Sequence, residues 1–165
     1  MKNLLWNFLL VFCTICLFTA CSDDENEETN CEASPVTGMI DGQTFNFGTG
    51  TAITDSSSGE LFITLYDERE TSSDPCNIND EFVNVFGLVP NEVGRTSLFQ
   101  NLPEGEFRQL TFFNPNGFGN RLAIEGFIEI TSIGDTTIEG VLDIDDGTLN
   151  PEDFLCGTFI LDICE

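Results

Sequence analysis

Histidine is absent from all 165 residues, and lysine occurs once, at position 2. The first absence excludes histidine-dependent triads, histidine-ligated zinc and the commonest near-neutral general base. The second removes, beyond the first few residues, the amine needed for Schiff bases or Walker-type phosphate loops. Positive charge is scarce throughout. Arg69, Arg95, Arg108 and Arg121 stand against 29 Asp and Glu, and the net charge is −24. Such a chain repels nucleic acid phosphates and anionic head groups, so neither is an expected partner, whereas divalent cations are attracted. Carboxylates, Tyr66 and hydroxyls are what remain for catalysis, and the expectation is a protein that is not an enzyme. A sustained i, i+3, i+4, i+7 apolar pattern is also missing, which argues against helices.

What is present begins with "LFTACSDDENEE" (17–28), where an apolar run stops at a small residue, a cysteine and a burst of acid. Residues 1–20 carry one early charge, an apolar stretch and the small Ala20, the layout of a secretory signal peptide. A retained transmembrane helix would need about 20 apolar residues and basic cytoplasmic flanks. Here Asn7 interrupts the run and acid follows it.

Phe18-Thr19-Ala20-Cys21 resembles a bacterial lipobox, with Phe18 where leucine is usual. The resemblance implies cleavage between Ala20 and Cys21 and lipidation of the Cys21 thiol, the best nucleophile for alkylation in the segment. Each buried methylene contributes about 0.8 kcal/mol, so two or three acyl chains such as palmitate anchor stably where one is marginal. Ser22, Asp23, Asp24 and Glu25 open an acidic run that resembles the surface-export signal of Bacteroidota lipoproteins. That implies a lipid-anchored location on the outer face of the outer membrane. The same run cannot fold, and residues 21–35 read as a tether spanning roughly 20 Å root-mean-square.

Cys13 and Cys16 fall within the signal peptide. Cys31, Cys76, Cys156 and Cys164 remain, an even number in an exported domain, which reads as two disulfides with three connectivities. A zinc site is disfavoured because no pair has CxxC spacing. Cys31 precedes the first strand and Cys164 ends the last, so joining them would clasp the two ends and leave Cys76 for Cys156.

Residues 36–165 suit one domain. Asp41-Gly42 within "GMIDGQTFNF" (38–47) is a hairpin signal. Strands are expected at 51–54, 60–67, 81–89, 94–99, 106–113, 121–133, 137–145 and 155–164. In 60–67, Leu61, Ile63 and Leu65 share one face, with Phe62, Thr64 and Tyr66 on the other. The stretch 81–89 is apolar on both faces and should be central. Leu122, Ile124, Gly126, Ile128 and Ile130 align within 121–133, as do Phe159, Leu161 and Ile163 in 155–164. Eight or nine short strands at this spacing predict an all-β, antiparallel up-and-down sheet, closed as a barrel or folded as a sandwich.

The segments "TGMIDGQTF" (37–45), "GFIEITS" (126–132), "TIEGVLDI" (137–144) and "CGTFILDI" (156–163) resemble a family of small Bacteroidota outer-membrane lipoproteins of unknown function. The resemblance implies a β-rich fold and an envelope location, and it carries no catalytic residues.

Three further features bear on function. "DIDDGTLNPED" (143–153) gathers oxygen ligands, with Asp143, Asp145 and Asp146 the candidate Ca²⁺ ligands against a solvated hairpin turn. Glu125 and Glu129 lie about 13 Å apart at strand rise, too wide for a glycosidase pair. Asp135-Thr136-Thr137 resembles the O-glycosylation motif of Bacteroidota envelope proteins, with Thr136 the acceptor. The favoured function is a surface-displayed interaction or structural domain with an unidentified protein or small-ligand partner. A β-barrel module holding a small apolar ligand in its mouth comes next, and a carboxylate-based hydrolase last.

Overall fold

Asp41 and Gly42 both take positive φ, 54° and 71°. That left-handed pair closes a tight turn whose twist matches the flanking strands, β1 (Thr37–Ile40) and β2 (Gln43–Thr54). The computed structural model describes residues 33–69, 74–78, 82–98, 109–117, 119–147 and 153–165. Beyond the first hairpin these contain β3 (Leu61–Asp67), β4 (Asn84–Val89), β5 (Gly94–Ser97), β6 (Leu110–Phe113), β7 (Arg121–Ala123), β8 (Glu125–Ile133), β9 (Thr137–Asp145) and β10 (Phe154–Cys164). One turn of 3₁₀ helix covers Pro75–Asn77, entered through Asp74, whose side chain accepts from the Cys76 amide.

All ten strands join one sheet in the order β5-β8-β9-β10-β1-β2-β3-β4-β6-β7. Pairing is antiparallel except where β10 runs past the short β1 and pairs with β2 in parallel, Asp162 opposite Thr51. The first and last strands thus meet in the middle of the sheet. Its ends are β5 and β7, of four and three residues, too short to template pairing with another chain.

The order also dictates curvature. β7 closes one end of the sheet, yet β8, one strand in from the other, begins two residues later. A single residue, Ile124, therefore bridges the two ends, and neighbouring Cα atoms are only about 3.8 Å apart. The sheet must curl until they meet at this corner, giving an open half-barrel rather than a flat sheet. Ile124 is held there by its amide, which donates to the Asp145 carbonyl at 3.0 Å.

The corner corrects the sequence reading of one strand over 121–133. Ala123 faces the core in register with Leu110, whereas Leu122, expected inside, is 42% exposed. Past Ile124 the parity flips, and Ile128 and Ile130 point inward. Gly126 follows the corner at φ 101°, where a Cβ would meet the Asp143 carbonyl oxygen at 1.9 Å. No other residue fits that backbone.

The concave side is packed. Leu61, Ile63 and Leu65 of β3, Val85 and Val89 of β4, Leu142 and Ile144 of β9, and Phe159 and Leu161 of β10 form one cluster around Phe45 and Phe112. Each such side chain stabilises the fold by about 1.5–3 kcal/mol through removal from water.

Candidate functional site

The convex face of β3, β4, β6 and β7 carries the residues opposite in parity to this core. Register places them in rows. Phe62 lies beside Leu88, Thr64 beside Phe86 and Tyr66 beside Asn84. Phe86 in turn lies beside Thr111 and Asn84 beside Phe113, and Thr111 beside Leu122. The sequence 81–89 is apolar on both faces for this reason: one face enters the core, and the other lines a groove.

The groove has two lobes. One, of about 230 Å³, is lined by Phe62, Thr64, Asn84, Phe86, Phe113 and Asn120. The other, of about 270 Å³, is bounded by the same Phe62 and Phe86 together with Leu88, Gln109 and Thr111. The rings of Phe62 and Phe86 stand 5.9 Å apart, tilted by 38°. Every lining residue among the described ones is neutral. Small-molecule sites span roughly 300–1,000 Å³ and combine apolar walls with a few polar groups, which the paired lobes match in kind.

At the floor lies Asn84, 2% exposed. Its Nδ2 donates to the Phe82 carbonyl at 3.1 Å, while its buried Oδ1 has no hydrogen-bond partner. A buried amide oxygen in that condition costs about 1–3 kcal/mol.

A second polar cluster sits at the rim, near the closing corner. The Arg121 guanidinium donates from Nη1 to Asp153 Oδ2 and from Nη2 to Asp41 Oδ1, both at 2.8 Å. Asp146 Oδ2 lies 4.0 Å from Nη1. Asp153 is fully buried and also accepts from the Asp41 amide at 2.6 Å. Arg121 projects from β7, Asp41 is in the β1–β2 turn and Asp153 precedes β10, so the guanidinium joins the end of the sheet order to two neighbouring segments with which β7 shares no ladder. Arg121, Asp41 and Asp153 bond one another, and the role of the cluster is to hold the fold.

The residues singled out in the sequence are dispersed. Asp143 and Asp145 project from one face of β9, while Asp146 is buried beside Arg121. Asp145 Oδ1 accepts from the Gly147 amide at 2.6 Å. The three do not converge, and no group of three His, Cys, Asp or Glu that could hold a metal occurs among the described residues. Burial, with the Asp145 charge adding to it, raises the Asp143 pKa against the opposing pull of Arg95. Glu129 is paired with Arg95 at 2.8 Å, and that guanidinium also lies 3.8 Å over the Phe127 ring. Thr136 is exposed in the β8–β9 turn.

The disulfide connectivity differs from the expected clasp of chain ends. Cys76 bonds to Cys164, with Cα atoms 5.6 Å apart, so neither the Cys31–Cys164 nor the Cys76–Cys156 pairing holds. β10 runs alongside β2, and the 3₁₀ turn carrying Cys76 packs over that pair, which is what brings Cys76 to Cys164. Cys156 is also disulfide-bonded, and its partner lies outside the described residues. The expected signal segment, the expected cleavage and lipidation residues Ala20 and Cys21, the expected export residues Ser22, Asp23, Asp24 and Glu25, and Cys31 lie outside them as well.

The sequence places Phe62, Thr64 and Tyr66 on the face of their strand opposite Leu61, Ile63 and Leu65 but gives that face no role. The available signal was the second apolar face of 81–89. In comparisons with protein-family models, curated proteins and solved structures, the chain matches none.

Proposed function

We propose that this chain is a lipid-anchored outer-membrane lipoprotein facing the cell surface, akin to small Bacteroidota envelope proteins, whose β domain is a non-catalytic interaction module. The observation that carries the interaction reading is the aromatic groove on the convex face of β3, β4 and β6, whose described lining residues carry no charge. In a chain of net charge −24, a recess with no ionisable side chain among its described lining residues is suited to holding a neutral partner and not to acid–base chemistry. A ligand in the mouth of the barrel is the weaker reading, because Phe45, Phe112 and Phe159 fill the concave side. The anchor reading rests on Ala20-Cys21 and the acidic run behind it, which supply a thiol for acylation and a spacer holding the domain off the bilayer.

Fractionation of a Bacteroidota host expressing the full chain tests the anchor. The expected result is outer-membrane recovery of the wild type and release of Cys21→Ser into the soluble fraction. Membrane association of Cys21→Ser, or an unmodified amino terminus by mass spectrometry, overturns it.

A further inference from the structure

We infer that the groove binds a neutral saccharide, a pyranose ring stacked on the contiguous platform of Phe62 and Phe86 with a hydroxyl delivered to Asn84 Oδ1. This rests on the groove being an interaction surface, as proposed above, and is independent of the lipid anchor.

Four observations converge on that ligand class. The walls are aromatic, with Phe62 and Phe86 5.9 Å apart and tilted and Phe113 completing the first lobe. Apolar ring faces of this kind suit the C–H faces of a sugar. The polar side chains among the described lining residues are all amides and hydroxyls, namely Thr64, Asn84 and Asn120 in one lobe and Gln109 and Thr111 in the other. These are groups that both donate and accept, as a polyhydroxylated ligand requires.

The described lining is also neutral. A carboxylate, sulfate or phosphate would find no cation among the described lining residues and would meet the field of a strongly acidic protein. A cationic ligand would find no anion among the described lining residues. An acyl chain would leave the amides unmatched, and it needs an enclosed sleeve where this groove opens along the sheet face.

Finally, Asn84 is fixed through Nδ2 to the Phe82 carbonyl, so that its Oδ1 is the buried acceptor still in need of a donor. A ligand hydroxyl supplies one, and loss of that acceptor should discriminate against binding more than its exposure suggests.

The test uses the intact protein in lipid nanodiscs, free of detergent that would compete for the groove. Neutral plant, yeast and mucin oligosaccharides are arrayed against it, and the strongest is titrated calorimetrically. Binding is expected, weakened at least tenfold by Phe62→Ala, by Phe86→Ala and by Asn84→Leu, with thermal melts reporting that each variant is folded. Should Asn84→Leu fail to fold, the half-exposed Phe62→Ala decides alone. Retention of no neutral glycan, retention only of acidic glycans, fatty acids or protein, or an affinity unchanged by Phe62→Ala overturns the inference. Failure of the anchor appears separately, as a soluble protein whose sugar binding is intact.

Discussion

Asp55 shows how much a single exposed residue can organise. Its Oδ1 accepts from the Ser57 hydroxyl at 2.5 Å, the Ser57 amide at 2.7 Å and the Ser58 amide at 2.9 Å, shaping the loop between β2 and β3. The Ser57 hydroxyl, followed by the Ser58 and Ser57 amides, lowers its pKa from the ordinary 3.8 to about 2. The folded carboxyl therefore prefers to be charged. Its stabilisation is complete above the unfolded value and is lost as pH falls from about 4 through 2. A carboxyl-carbon NMR titration should place the midpoint near 2, and Ser57→Ala should move it upward. A midpoint at the ordinary value in the wild type would remove the turn's role. Much of this was visible in "DSSSG" as turn chemistry, because an Asx turn closes on residues two and three positions away. Asn84 is the opposite case. The sequence marks it only as a polar residue inside an apolar strand, and only the register shows it flanked by Phe113 of β6 and Tyr66 of β3 across two ladders.

Elements were legible wherever a local rule closes them. The Asp41-Gly42 hairpin, the inward faces of β3 and β10, and the full extent of β9 follow from turn residues and period-two alternation. The failures come where tertiary geometry overrides period. β7 and β8 read as one strand because alternation continues across residue 124, and only the meeting of the sheet's two ends breaks it. The cysteines fail for the same reason, since counting gives pairs and not partners. With Cys76 bonded to Cys164, the expectation of two bridges now assigns Cys31 to Cys156. The Ser34 carbonyl accepts from the Thr158 amide at 2.8 Å and from its hydroxyl at 3.1 Å, which brings the chain just after Cys31 against β10 close to Cys156. Non-reducing peptide mapping should recover both linked pairs. Loss of the Cys76–Cys164 bridge, which spans 88 residues, should cost about 2–5 kcal/mol by chemical denaturation. A Cys31–Cys76 or Cys31–Cys164 peptide would contradict the assignment.

At the scale of the whole molecule, closure is what the sequence conceals. Four arginines among 29 acidic residues allow so many pairings that no pattern marks Arg121 as different from Arg95. Position alone separates them. Arg95 sits half-exposed on an edge strand with Glu129, a pair of the kind that contributes little. Arg121 projects from the opposite end of the sheet order and reaches two segments from its middle, where Asp153 is wholly buried. Removing its guanidinium leaves that carboxylate desolvated with no counter-charge, a change that costs about 3–5 kcal/mol. Arg121→Met should lower the free energy of urea unfolding by that amount, while Arg95→Met should change it by less than about 1 kcal/mol. Lysine is a poor replacement, because one ammonium cannot present parallel donors to Asp41 and Asp153 together. Asp153→Asn in the Arg121→Met background discriminates further. If the cost arises from a stranded charge, the second substitution recovers part of it, and if it arises from lost packing, the two losses add. An Arg121→Met protein as stable as the wild type would mean that the corner at Ile124 closes the half-barrel without the clasp.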